Sequence, residues 1–179
     1  MQISWSHCVL KVRDIEKMIS FYEDTLGFVV ADRGAIMGGD SPEIVFMSGS
    51  SSDHHQMAFV ASRTDDDATS LDHNAFRVET IGDVKTMIER VAKDDRVEAH
   101  APLTHGNAIS VYFKDPEGNG VEVFCDSPWH VRQPAGQGWD PTMSDEDVLA
   151  DVKAKFQDDP EFCPIEEYQA RKAREFGEV

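Results

Sequence analysis

Polar and apolar positions alternate from residue 3 to residue 12, which predicts a strand with Cys8, Leu10 and Val12 on one face and His7, Val9 and Lys11 on the other. The period then changes to that of a helix. Ile15, Met18, Ile19, Tyr22 and Leu26 recur at helical spacing, Asp14 stands at the N-cap position, and Gly27 can end the helix in the left-handed conformation. Three further strands are predicted at 28–32, 43–47 and 56–61, separated by GAIMGGDSP and SGSSSDHH, both rich in turn formers. The order is βαβββ.

The pattern returns 66 positions later: His7 maps onto His73, Lys11 onto Arg77, Val12 onto Val78, Asp14 onto Thr80, Ile15 onto Ile81 and Met18 onto Val84. The second helix carries Ile81, Val84, Ile88 and Val91. A short strand near Val97 and strands at 109–114 and 121–125 follow, the last two joined by the turn Asp115-Pro-Glu-Gly-Asn-Gly120. A second βαβββ unit results, so the expected fold is α+β, one domain over residues 1–126 made of modules at about 1–65 and 66–126. Residues 127–179 break the pattern with SPWHVRQPAGQGWDP and then two helices. Ser144 with Asp147 forms a capping pair before Leu149, Val152 and Phe156, and Pro164 occupies an N1 position. The apolar stripe of this extension is too narrow for a core of its own, so it is expected to pack on the preceding domain.

Composition narrows the classes. The 179 residues are 40% hydrophobic and include ten Phe and three Trp, enough for one buried core. No apolar run approaches the roughly 20 residues that span a bilayer, and no basic n-region precedes an apolar stretch, so a cytoplasmic protein is expected. Three cysteines without a CxxC pair argue against a disulfide framework and a thiolate zinc site. Any metal therefore falls to His and carboxylate. With 34 acidic and 17 basic residues the net charge is -17, which repels phosphate backbones and anionic membranes. Neither nucleic acid nor a membrane is expected as a partner, and the acidic balance also suits work at high salt.

Each repeat opens with a histidine on a strand, and Glu122 lies between Val121 and Val123. A carboxylate in so apolar a strand must be solvated, salt-bridged or metal-bound. Taken singly, His7 and His73 have an ordinary reading as hydrogen-bonded structural histidines. Their equivalence across the repeat adds another: first strands side by side could aim both imidazoles into one cavity that Glu122 shares. Two histidines and one carboxylate form the facial triad of non-haem Fe(II) oxygenases.

The strings HCVLKVRDIEKMISFYEDTLGF, DHNAFRV and YFKDPEGNGVEVF resemble the vicinal-oxygen-chelate superfamily over about residues 1–126. That superfamily includes glyoxalases, fosfomycin-resistance proteins, antibiotic-sequestering proteins and type I extradiol dioxygenases. The resemblance implies paired βαβββ modules forming an open, metal-centred barrel, with His7, His73 and Glu122 as ligands. Three more residues are similar to the extradiol group: His55 in HHQMAF matches its acid-base histidine, Tyr112 stands ten residues before Glu122, and His105 in THGNAISVYF matches a second histidine.

The implied reaction is ring cleavage of a small aromatic diol by dioxygen, with Fe(II), or Mn(II) or another divalent metal, as cofactor. His55 would be the base, with Tyr112 and a histidine stabilising developing charge, and a homo-oligomer is expected. Plainer readings stand beside these. His54 and His55 adjoin a polar turn, Tyr112 could be core packing, and Trp129 and His130 could edge a pocket or pack the extension. The rival functions are a glyoxalase-like lyase or isomerase, with His55 or Gln56 as fourth ligand where glutamate is usual, and a metal-free binding protein. A fosfomycin-type transferase would need cationic residues that the pocket segments lack.

Overall fold

In the computed structural model, which describes residues 4–37, 39–65 and 71–178, the chain is mixed α+β with four helices and two main sheets among the described residues. Two units are distinguished: residues 1–72 with 115–119, and residues 73–114 with 120–179. The expected module boundary at 65/66 adjoins residues 66–70, which lie outside the described residues.

The first unit runs β1 (Cys8–Val12), α1 (Ile15–Leu26), β2 (Val29–Ala35), β3 (Glu43–Ser48) and β4 (Met57–Ala61), and its open sheet has the order β1-β4-β3-β2. β1 pairs with β4 in parallel, Cys8 opposite Met57 through Val12 opposite Ala61. Asp14 caps α1 by accepting from the Lys17 N–H, and Gly27 ends it at φ 73°, both as the sequence predicts. Met18, Phe21 and Tyr22 of α1 are fully buried, as are Val12, Val45, Met47 and Phe59 from the strands. Tyr22 meets the ring of Phe59 at 5.1 Å, edge-on.

The second unit repeats the plan: β5 (His73–Arg77), α2 (Ile81–Val91), β6 (His100–Thr104), β7 (Ala108–Lys114) and β8 (Gly120–Asp126). Thr80 and Asp83 close a full capping box on α2. β5 lies parallel to β8, β8 antiparallel to β7, and β7 antiparallel to β6. One expectation shifts: the short strand is at His100–Thr104, not near Val97, which instead closes a turn onto the Asp94 carbonyl. Pro102 hides the strand in the sequence, and only near a sheet edge is it tolerated.

The extension belongs to the second unit. It adds β9 (Trp129–His130), β10 (Gln137–Gly138), α3 (Asp145–Phe156), β11 (Cys163–Pro164) and α4 (Ile165–Phe176). β10 joins the edge of the second sheet beside β6, and β9 pairs with β11. Ser144 caps α3 as expected, but the buried stripe is Val148, Val152 and Phe156, with Leu149 turned to a half-buried position. The buried residues recur at i, i+4 and i+8, so the buried face of this helix runs through Val148 rather than Leu149. Pro164 is the N-cap of α4 rather than its first residue.

Gly106 shows how closely the extension approaches. At φ 80° it needs glycine, and a Cβ there would lie 2.3 Å from Cγ2 of Val131. The indole N–H of Trp139 donates to the Ser110 carbonyl at 2.9 Å, and Lys85 on α2 donates to Met143 O and Asp145. Val131, Trp139, Val148, Val152 and Phe156 are all buried. Burial of five such chains at about 1.5–3 kcal/mol each predicts a large loss of stability when the chain is cut after Asp126. Melting and gel filtration of that truncated protein are expected to show a lower Tm or aggregation; an unchanged Tm would mean the extension stands apart.

Candidate active site

His73, Glu122, Ser110 and Tyr112 share one face of three adjacent strands of the second unit, β5-β8-β7. Glu122 is opposite Ala75 on one side and Tyr112 on the other, so His73 and Ser110, each two residues along, share its face. Val121 and Val123 point the other way into the core. Glu122 is only 7% exposed, and its charge is compensated locally. Oε1 accepts from Ser110 Oγ at 2.7 Å, and Oε2 lies 3.4 Å from Nε2 of His73. The His73 ring stands edge-on to Tyr112, centroids 5.5 Å apart. The Tyr112 hydroxyl is 2.9 Å from Nε2 of His105, whose Nδ1 is 2.6 Å from the Ala135 carbonyl. Of the six residues singled out in the sequence, His73, Glu122, Tyr112 and His105 thus form one connected array.

The other two meet in the first unit. His7, just before β1, packs its ring against His55, centroids 4.3 Å apart. Nδ1 of His55 is 2.9 Å from Nδ1 of His54, and Nε2 of His54 is 3.1 Å from Asp32. The carboxylate only accepts, so neutral His54 carries its proton on Nε2 and accepts at Nδ1 from His55. This leaves Nε2 of His55 as the basic nitrogen. Desolvation lowers the His55 pKa from its usual value, and the neighbouring His7 and His54 charges push the same way. A neutral imidazole at physiological pH is a competent proton acceptor. Gln56 is otherwise engaged: Oε1 accepts from the Gly49 N–H and Nε2 donates to Asp53, which holds the 49–53 loop.

Among the described residues no three His, Cys, Asp or Glu side chains gather closely enough to hold a metal ion. None of the three cysteines is joined in a disulfide, and the Cys125 thiol is pushed up to about 11 by burial and by Asp126. Trp129 stacks on Phe162 and His130 lies flat on Tyr168 at 3.8 Å, so this pair packs the extension. No helix among the described residues is long and apolar enough to cross a membrane.

Residues 4–123 match the model of the Glyoxalase/Bleomycin resistance protein/Dioxygenase superfamily. The chain belongs to this superfamily. Among curated members it is 29% identical over 129 residues to biphenyl-2,3-diol 1,2-dioxygenase 3 of Rhodococcus globerulus, covering 68% of this chain and 63% of that one. It is 26% identical over 157 residues to biphenyl-2,3-diol 1,2-dioxygenase 2 of the same organism, covering 78% of each. Metapyrocatechase of a Pseudomonas species is 24% identical, with 76% of this chain aligned to 44% of that enzyme. The chain thus spans less than two thirds of two of these relatives. Solved superfamily structures share the fold: a glyoxylase/bleomycin resistance protein/dioxygenase domain from Frankia matches with TM-score 0.58 at 22% identity over 75% of this chain and 96% of that one. The fosfomycin resistance protein FosX of Listeria monocytogenes follows at TM-score 0.54 and 16% identity, over 71% and 95%.

Ser110, Asp32 and Ala135 contact Glu122, His54 and His105, and sequence reasoning did not single them out. Ser110 had a signal, since it lies two before Tyr112 on the same strand face. The Asp32 and Ala135 contacts arise between segments distant in sequence, and neither residue type announces them.

Proposed function

We propose that this superfamily member is an extradiol ring-cleavage dioxygenase acting on a catechol-type aromatic diol with dioxygen and a divalent metal, Fe(II) in the first instance. The observation that carries the reading is the array of His73, Glu122 and Tyr112 on one sheet face with His105 bonded to Tyr112, and the similarity to two biphenyl-diol dioxygenases and a metapyrocatechase supports it. Two of the proposed donors, His73 and Glu122, are spaced as one ion of this kind would hold them. Donors bound at about 2.1 Å to one ion stand about 3.0–3.4 Å apart, and Nε2 of His73 and Oε2 of Glu122 are 3.4 Å apart. His7, the counterpart of His73 across the sequence repeat, is the third ligand in this proposal.

A bound metal would supply chelation of both diol oxygens and, as Fe(II), the redox chemistry that dioxygen requires. The protein's own groups supply the rest. Ser110 holds Oε1 of Glu122 and so orients the carboxylate whose other oxygen faces His73. His55, kept neutral, takes a proton from a diol hydroxyl at Nε2. The Tyr112–His105 pair presents a hydrogen-bonding group where charge develops on the ring-derived oxygens.

Anaerobic loading with Fe(II), followed by oxygen uptake on a small panel of catechols, tests the reading; a yellow ring-opened product is expected, and the loaded enzyme's failure on every diol would overturn it. His55→Ala is expected to keep its metal and lose about 10²- to 10⁴-fold in turnover. Loss of metal in that variant would instead mark His55 as a fourth ligand and favour a glyoxalase-like lyase.

A further inference from the structure

We propose that the extension segment 133–136 is a working part of the active site: it locks His105 in the Nδ1–H tautomer and so fixes the direction of the Tyr112–His105 hydrogen bond, with Gln133 as the positioning residue. A carbonyl oxygen can only accept, so the 2.6 Å contact between Nδ1 of His105 and Ala135 O places the ring proton on Nδ1. In the neutral ring Nε2 must then accept, and the Tyr112 hydroxyl donates to it at 2.9 Å. The opposite tautomer would reverse that bond and leave the Ala135 carbonyl facing a nitrogen lone pair, so the carbonyl of one extension residue sets the polarity of the array.

Gln133 keeps that carbonyl in place. Its Nε2 donates to the His105 carbonyl at 2.8 Å and reaches Oδ1 of Asn107 at 3.3 Å and the Val131 carbonyl at 3.2 Å. Its Oε1 accepts from the Ala135 N–H at 3.1 Å. One side chain therefore ties the backbone of His105 to the backbone of the residue that caps the His105 ring. A Cβ at Gly136 would sit 3.6 Å from Nδ1 of His105, which places the segment in van der Waals contact with the imidazole edge. The same segment and His105 line an open cavity of about 570 Å³. A tether with no role beyond stability would not need to meet the ring nitrogen that determines what the other nitrogen can do.

This proposal rests on the proposed function only for its effect on turnover; the tautomer itself is observable without a reaction. Long-range ¹H–¹⁵N correlation spectra of the full-length protein, free of paramagnetic metal, are expected to show His105 protonated at Nδ1 and bare at Nε2. Gln133→Ala is expected to reduce that tautomer's share and to lower kcat about tenfold, the scale of one well-placed hydrogen bond, with KM for catechol changed less than about twofold. Gln133→Glu keeps the acceptor for Ala135 N–H but loses the donors, and should fall between wild type and Gln133→Ala. An Nε2–H tautomer in the wild type overturns the proposal, a measurement that needs no variant to fold. So does an unchanged His105 spectrum in a folded Gln133→Ala protein. A shifted tautomer in a protein that turns over no catechol would remove the proposed function and leave the positioning role standing.

Discussion

His73→Ala abolishes divalent-metal binding while the protein remains folded: that is the expected result of the most consequential single substitution. His73 is part-exposed on an outer strand of its sheet, and its side chain contributes little to the core. Its Nε2 faces the carboxylate of a nearly buried glutamate, an arrangement that would hold a cation well and serves poorly as packing. Outer-shell partners of metal ligands are worth about 10- to 100-fold in affinity, so loss of a ligand should cost more than about 10²-fold. Titration calorimetry with Mn(II), and metal analysis after anaerobic Fe(II) loading, measure it directly. Glu122→Gln provides the companion, because it keeps the shape and the Ser110 contact and removes only the charge. Stoichiometric, wild-type-like metal binding by both variants would dispose of the triad.

Glu117→Gln is expected to destabilise the first unit by about 3 kcal/mol without touching the proposed chemistry. Glu117 lies in the turn 115–119, which groups with the first unit, and it is 7% exposed. Its Oε1 accepts from the backbone N–H groups of Arg13 and Asp14, at 2.6 and 2.9 Å, immediately before α1. Its Oε2 lies 3.4 Å from Arg13 Nε and 3.5 Å from Arg63 Nη1. Arg13 is more than a third exposed, so its share is small, whereas Arg63 is 12% exposed and would be left with an uncompensated charge. The turn itself is preset: Asp115 accepts from the N–H groups of Glu117 and Asn119, and Gly118 takes φ 82°. Thermal melting is expected to show a drop on the order of 10 °C. A Tm within 2 °C of wild type would mean that the arginines find other partners, which Glu117→Ala would then check.

The two helices of the repeat could be read residue by residue. Asp14 with Gly27, and Thr80 with Ile81, are cap and periodicity signals that act over one or two turns, so they survive without tertiary context. The repeat itself was legible for a related reason, since both units fold as strand, helix and three strands; His73 opens β5 whereas His7 lies one residue before β1. Glu122 stood out because a carboxylate between two valines conflicts with its surroundings. Local patterning failed where a contact outweighed it. The strand at His100–Thr104 is defined by pairing with β7 despite Pro102, and Val148 rather than Leu149 is buried because tertiary packing, not the local pattern, selects the helix face. Hydrogen-bond partners were the least legible of all. Glu117 reads as one turn residue among several, yet accepts two N–H groups more than 100 positions away. The proton on His105 is placed by the carbonyl of Ala135, a residue whose side chain says nothing about its backbone. Caps and periods belong to neighbours along the chain, so sequence determines them; the tautomer of a ring and the partner of a buried charge belong to neighbours in space, and only the folded chain decides those.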